Sequence, residues 1–131
     1  MPRFGIDTSI LVRLVTGHPE AEFMRCEEAL RRRVAEDGDE FVASNQVVGE
    51  TYVVLQHHYG VSKARAREAL AETLRSGYVQ PESSDVVFGA LGARSGAGLM
   101  DRLIAGGYAE RGMKVLTMDS RMAKLDGVEA I

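Results

Sequence analysis

The sequence predicts a three-layer α/β domain with a mainly parallel sheet of about four or five strands. Short apolar runs alternate with helical patterns along the chain, an order typical of strand–helix–strand units. Aspartates follow two of the predicted strands, at Asp7 and Asp119. The length of 131 residues suffices for one domain with a substantial core, so we expect a single domain over 1–131.

The first third of the chain predicts two strands separated by two helices. Residues 3–6 form a short strand, after which Thr8 or Ser9 can cap a helix. A second helix is expected over 19–36, because a proline suits its first turn. The second strand follows at 40–43.

The middle of the chain predicts a hairpin of two helices. Ser44 can cap a helix that ends at Gly60, and Ser62 can cap another that extends to about Arg75. A short third strand is expected at 77–79.

The last third predicts two more helices and two more strands. Asp85 can cap one helix, and the next begins at Asp101 and ends before Gly112, which suits the left-handed conformation of a helix end. An apolar strand then follows at 113–117, and a last strand is expected at 128–131.

Four carboxylates occupy positions from which these elements can bring them together. Asp7 and Asp119 follow strands, at the sheet edge where open α/β folds bind ligands. Asp101 opens a helix, and Glu50 lies on or beside the apolar face of another, where a carboxylate is costly to bury unless paired or bound to metal. Gathered carboxylates repel each other and stay charged only around a cation. We therefore predict a divalent metal site.

The expected ion is Mg²⁺ or Mn²⁺, because oxygen ligands suit these ions better than zinc. Three hydroxyls can support the acids through hydrogen bonds: those of Thr8, Ser9 and Thr117. We find no Ser/His/Asp or Cys/His nucleophile motif in the sequence. A bound ion that orients water and stabilises charge on a phosphoryl oxygen predicts phosphodiester hydrolysis, with the four acids as catalytic residues.

The charge, the cysteine content and the lengths of the apolar runs restrict the possible binding partners and cellular location of the protein. The net charge is −3, so a nucleic-acid binder would need a local basic patch, for which Arg102 and Arg121 are candidates. A single cysteine, Cys26, excludes an internal disulfide; it lies in a predicted amphipathic helix and is expected to be buried by packing. No apolar run approaches the ~20 residues of a membrane span. Because the first strand leaves no room for a signal peptide, we expect a cytoplasmic protein without membrane attachment.

The four acids belong to a wider pattern: Ile6-Asp7-Thr8-Ser9, Glu50 with Val54-Leu55, Asp101-Arg102-Leu103-Ile104-Ala105 and Leu116-Thr117-Met118-Asp119. This pattern spans essentially the whole chain and resembles a PIN-domain nuclease, most closely the VapC type of toxin ribonuclease. The resemblance implies a Mg²⁺- or Mn²⁺-dependent endoribonuclease that cuts single-stranded or structured RNA. In it Asp7, Glu50, Asp101 and Asp119 hold the metal, with Thr117 as a supporting hydroxyl. It also implies a homodimer that is inhibited by a small antitoxin protein encoded beside it.

Two segments depart from the family pattern. After Asp119 the chain has Ser-Arg-Met, where an aromatic residue often follows a few positions later. After Asp101 the chain has Gly106 and Gly107, where alanines are more common. A glycine inside a helix costs roughly 1 kcal/mol relative to alanine, so we expect a loosened helix there.

Three other interpretations stay open. A solitary PIN nuclease in RNA processing would share the site but lack the antitoxin. A receiver-like regulatory module also gathers acids around Mg²⁺, but its acceptor aspartate belongs on a middle strand, and the strand at 40–43 is followed by Ser44 and Asn45. A phosphatase-like hydrolase would use Asp7 as nucleophile, but no second acid stands two residues later.

Overall fold

The computed structural model describes residues 2–131, which contain six α-helices, five short β-strands and one 3₁₀ turn. The elements up to the third strand are β1 (Arg3–Gly5), α1 (Thr8–Thr16), α2 (Glu20–Asp37), β2 (Glu40–Ala43), α3 (Asn45–His57), α4 (Lys63–Arg75) and β3 (Val79–Pro81). The remaining elements are α5 (Ser84–Gly92), α6 (Leu99–Glu110), β4 (Val115–Thr117), the 3₁₀ turn (Met122–Lys124) and β5 (Val128–Ala130). The chain forms two compact units, Met1–Glu82 and Ser83–Ile131.

The first unit contains a three-stranded parallel sheet in the order β1-β2-β3. Phe4 of β1 pairs with Phe41 of β2, which in turn pairs with Val79 of β3. Parallel neighbours need long crossover connections, and helices α1 and α2, then α3 and α4, provide them.

Helices of the first unit pack through aliphatic side chains. Helix α1 contacts α2, α3 and α4, and α3 contacts α4, which confirms the predicted helical hairpin. Leu11, Val48, Leu55 and Leu70 are completely or almost completely buried. Burying one such side chain contributes about 1.5–3 kcal/mol to folding. These four side chains therefore stabilise the packing of α1, α3 and α4, and α3 carries Glu50.

The second unit pairs helices α5 and α6 and contains a two-stranded parallel sheet of β4 and β5. Ala105 of α6, Met122 of the 3₁₀ turn and Val128 of β5 form a buried apolar cluster. Helix α6 is continuous through Gly106, where an added Cβ atom would lie 2.3 Å from Cγ1 of Val86. The glycine therefore permits the close contact between α5 and α6.

Two helix caps differ from the sequence-based expectation. Asp7, and not Thr8 or Ser9, is the N-cap of α1, because its own carboxylate accepts a hydrogen bond from the backbone N–H of Ile10. Ser83, and not Asp85, is the N-cap of α5. The hydroxyl of Ser83 donates instead to the carboxylate of Glu110 near the end of α6.

Asp101 lies in the first turn of α6, which begins two residues earlier at Leu99 with Gly98 as its N-cap. The third strand is also shifted, to Val79–Pro81, because parallel pairing with Phe41–Ala43 of β2 sets its register. Both differences are small.

The predicted α/β class with parallel strands is confirmed. All strand pairs in residues 2–131 are parallel, and the five strands are divided between a sheet of three and a sheet of two. None of the helices in this range has the length and apolar character that crossing a bilayer requires.

Candidate metal-dependent active site

Asp7 stands between β1 and α1 with an exposed, oriented carboxylate. Its Oδ1 atom accepts hydrogen bonds from the Ser9 hydroxyl and, at 3.3 Å, from the backbone N–H of Ile10. The Ser9 hydroxyl lowers the pKa of Asp7 below its ordinary value; slight burial opposes this effect and the Ile10 N–H adds to it. The local structure therefore holds Asp7 in its charged form, as a metal ligand must be.

Glu50 lies in the middle of α3 and its carboxylate is held from two sides. Oε2 accepts a 2.8 Å hydrogen bond from the Thr8 hydroxyl, and Oε1 accepts a 3.1 Å hydrogen bond from the amide of Gln46. Because Thr8 directly follows Asp7, the first of these bonds brings Glu50 to the N-terminal end of α1. Glu50 was expected on or beside the apolar face of its helix; it is exposed while the adjacent Gly49 is buried, so it lies beside that face and not on it.

Gln46 is a partner that the sequence analysis missed. It lies four residues before Glu50, a spacing that puts two side chains on the same face of a helix. This spacing of four residues in a predicted helix is the sequence feature from which the contact could have been predicted.

The second unit contains Asp101 and Asp119. Asp101 is half-buried in the first turn of α6, where the helix dipole favours a negative charge. Asp119 is exposed after β4, and its Oδ1 accepts hydrogen bonds from the backbone N–H groups of Arg121 at 2.8 Å and Met122 at 2.9 Å. The hydroxyl of Thr117 accepts a 3.0 Å hydrogen bond from the backbone N–H of Asp119, so it orients this segment and not the carboxylate itself.

Arg102 and Arg121, the two candidate RNA contacts, both hold the segment that precedes α6. Arg102 donates from Nε to the carbonyl of Ala97 and from Nη2 to that of Ser95, each at 2.9 Å. Arg121 donates from Nη2 to the carbonyl of Gly96. These acceptors are neutral carbonyl oxygens, so these hydrogen bonds do not neutralise the two positive charges. A contact of either arginine with RNA stays a prediction.

Within the first unit, the structure forms two hydrogen-bonded pairs at the start of α1, Ser9 with Asp7 and Thr8 with Glu50. Asp101 and Asp119 belong to the second unit. Across the described residues 2–131, we find no group of three or more His, Cys, Asp or Glu side chains arranged to hold a metal ion. In the first unit these side chains offer carboxylate and hydroxyl oxygens. Oxygen ligands are those that Mg²⁺ and Mn²⁺ prefer, so the chemistry of these residues fits such an ion.

Most of the chain matches a known protein family. The PIN domain family model matches residues 5–128. The chain belongs to the PIN domain family. PIN domains are generally metal-dependent nucleases, and the matched range contains Asp7, Glu50, Asp101 and Asp119. The six helices and parallel strands of this PIN domain are consistent with the α/β/α fold expected from the sequence. A search of curated proteins gave no match.

Proposed function

We propose that this PIN domain is an endoribonuclease that hydrolyses RNA phosphodiester bonds with Mg²⁺ or Mn²⁺ held by Asp7, Glu50, Asp101 and Asp119. The observation that carries the proposal is the hydrogen bond from Thr8 to Glu50. It holds an exposed glutamate at the N-terminal end of α1, the end that Asp7 caps. An exposed carboxylate gains little stability from such positioning. Its orientation is better explained by a ligand that both acids share.

The residues have distinct roles in this proposal. Asp7 and Glu50 bind the ion in orientations set by Ser9 and Thr8, which donate to their carboxylates. When bound, the ion lowers the pKa of a water molecule and stabilises charge on a phosphoryl oxygen. Asp101 and Asp119 complete the ligand set.

We also propose that residues 1–131 act as one PIN-like domain, as a homodimer, in the cytoplasm. The resemblance of the four-part sequence pattern to VapC-type enzymes supports the role of a toxin with a cognate antitoxin protein. The second candidate is a solitary PIN nuclease in RNA processing, which would use the same acids. Membership of the PIN family argues against the receiver-like and phosphatase-like alternatives.

The first experiment measures thermal unfolding with and without Mn²⁺ for the unmodified protein and for Asp7→Asn, Asp101→Asn and Asp85→Asn. Asp85 is a matched control, because it also lies in the first turn of a helix and its replacement removes the same charge. An ion that binds only the folded state raises the melting temperature. We expect this rise in the unmodified protein and in Asp85→Asn, and a much smaller one in the other two variants.

The same four proteins are then assayed for cleavage of a labelled single-stranded RNA with Mn²⁺. We expect Asp7→Asn and Asp101→Asn to lose cleavage by at least a hundredfold, on the order of the effect of removing a group that acts in the transition state. Equal cleavage by all four proteins would refute the proposed site. Growth arrest on expression of the unmodified protein, and none with Asp101→Asn, would support the toxin role over the RNA-processing role.

A further inference from the structure

A groove in the first unit opens directly beside the proposed acids. It has a volume of about 630 Å³, within the roughly 300–1,000 Å³ that is usual for ligand-binding clefts. Its lining includes Thr8 and Ser9, the two residues whose hydroxyls donate to Glu50 and Asp7. We call it the α1 groove. A chain bound at the acids can continue into it.

The remaining lining combines flat rings, an apolar surface and one strong cation. His18, His58 and Tyr59 provide the rings, Val12 and Val54 are the aliphatic residues, and Arg13 supplies the cation. Aromatic surfaces for stacking, next to a basic group for the backbone, are the features that sites for single-stranded nucleic acid share. Paired bases in a duplex are stacked on one another and cannot enter such a groove.

We propose that the α1 groove binds an unpaired nucleotide of single-stranded RNA that flanks the cleaved bond, with its base against Tyr59 and His58 and its phosphate at Arg13. The assignment of RNA rests on the proposed function, because the groove shares Thr8 and Ser9 with the acidic site. It goes further in assigning the α1 groove to a flanking nucleotide and in naming the residues that bind it.

Arg13 has a carboxylate partner that competes with a phosphate. Its Nε atom is 2.8 Å from Oε2 of Glu22, and Arg13 is largely covered while Glu22 is half-exposed. A phosphate in the groove must share or replace Glu22. Removing the charge of Glu22 should therefore strengthen RNA binding, whereas removing Arg13 should weaken it. A charge change in an ion pair outside the groove should have a smaller effect on RNA binding.

The test measures binding by fluorescence anisotropy in EDTA, using a labelled single-stranded RNA hexamer and a blunt duplex of the same sequence. The variants are Glu22→Gln, Arg13→Gln and Tyr59→Ala. Glu68→Gln is the control for charge, since Glu68 forms a comparable 2.9 Å ion pair with Arg65 outside the groove. Melting temperatures identify any variant that fails to fold.

Tyr108→Ala is the control for loss of an exposed aromatic ring. Tyr108 is 39% exposed and Tyr59 is 38% exposed, and an arginine lies over the ring of Tyr108. The two substitutions therefore remove similar surface at different places. Their comparison isolates the contribution of the groove.

We expect Tyr59→Ala to weaken binding of the single strand about fivefold or more, and Tyr108→Ala to leave it unchanged. Glu22→Gln should tighten binding more than Glu68→Gln does. Arg13→Gln should lower the slope of log affinity against log salt by about 0.7, the value for one phosphate contact on a single strand. The duplex should bind more weakly than the single strand and should not respond to Tyr59→Ala.

Cleavage by the unmodified protein and by Asp7→Asn separates this proposal from the proposed function. If Tyr59→Ala and Glu22→Gln leave RNA binding unchanged while Asp7-dependent cleavage persists, the groove assignment alone is overturned. Those effects without any cleavage would support the groove and overturn the nuclease. Failure to bind the single strand, or equal effects of the groove and control variants, would overturn the groove proposal and leave a protein partner as its occupant.

Discussion

The hydroxyl of Thr8 donates a 2.8 Å hydrogen bond to Oε2 of Glu50, 42 positions later in the chain. This bond joins the start of α1 to the middle of α3. Helices α1 and α3 are already held together by buried aliphatic side chains, including Leu11, Val48 and Leu55. The hydrogen bond is therefore not needed to assemble the helices, and its main effect is to orient the Glu50 carboxylate.

We expect Thr8→Val to impair metal binding far more than folding. Valine keeps the shape of threonine but cannot donate to Glu50. Loss of one exposed hydrogen bond should lower the free energy of unfolding by about 1 kcal/mol or less. Loss of an outer-shell partner of a metal ligand typically costs about 10–100-fold in metal affinity or activity. Mn²⁺ titration followed by thermal unfolding, together with RNA cleavage, measures both effects.

Two matched variants control that experiment. Thr8→Ser keeps the hydroxyl and should restore most of the Mn²⁺ response. Thr73→Val removes a hydroxyl that donates only to the carbonyl of Ala69 within α4, and should leave the response unchanged. A Thr8→Val protein with an unaltered Mn²⁺ titration would show that the hydroxyl does not serve a metal ligand.

Sequence patterns predicted the positions of the acids better than their surroundings. The strand ends before Asp7 and Asp119 are visible as short apolar runs, and the structure has β1 and β4 there. The exposure of Glu50 was not predictable, because a helical pattern assigns a side chain to a face without saying how far the neighbouring element covers it. Thr8 was predicted to support the acids, but the sequence did not show that its partner is Glu50, since 42 residues separate the two.

Because of the tight contact at Gly106, we expect alanine there to destabilise the protein, whereas helix propensity predicts stabilisation. Helix propensity alone predicts that Gly106→Ala stabilises the protein by roughly 1 kcal/mol. The added Cβ atom would instead lie 2.3 Å from Cγ1 and 2.9 Å from Cγ2 of Val86, a stiff β-branched residue. We expect Gly106→Ala to lower the free energy of unfolding by about 1–3 kcal/mol, as overpacking does. Urea denaturation measures the change.

Gly89 is the control glycine. It lies inside α5, is exposed, and an added Cβ atom there would meet no atom within 4 Å. Gly89→Ala should therefore raise the free energy of unfolding by about 0.5–1 kcal/mol. Stabilisation by both substitutions would mean that α5 and α6 do not touch at Gly106. Helix propensity cannot distinguish Gly89 from Gly106, because the difference between them depends on contacts between helices.

The ion pair between Arg33 and Asp39 should contribute more to stability than the exposed pairs. The atoms Nε and Oδ2 are 2.8 Å apart, and the side chain of Asp39 is only 4% exposed. The guanidinium also lies 4.5 Å from the centre of the Phe4 ring. Asp39→Ala leaves Arg33 without its partner, so we expect a loss of about 1–3 kcal/mol in the free energy of unfolding.

Glu68→Ala provides the comparison for Asp39→Ala. Glu68 pairs with Arg65 at 2.9 Å, but both side chains are mostly exposed. Exposed pairs of this kind contribute at most about 1 kcal/mol, and less at high salt. Denaturation at two salt concentrations should show a large, weakly salt-dependent loss for Asp39→Ala and a small one for Glu68→Ala. Equal losses would contradict the importance of burial at Asp39.

Cys26 in α2 should react slowly with thiol reagents at neutral pH. Burial raises the pKa of its thiol above the ordinary value, and this effect outweighs the attraction of Arg13 and Arg25 for the thiolate. Only the thiolate reacts with iodoacetamide, so the reaction of the native protein should be slower than that of the urea-unfolded protein and should rise at higher pH. Because the native pKa is the higher one, the contribution of the thiol to stability is complete below the unfolded pKa of about 8.5 and is lost as the pH rises through the native pKa. Cys26→Ala should remove this part of the alkaline loss of stability, and equal native and unfolded reaction rates at every pH would contradict the effect of burial.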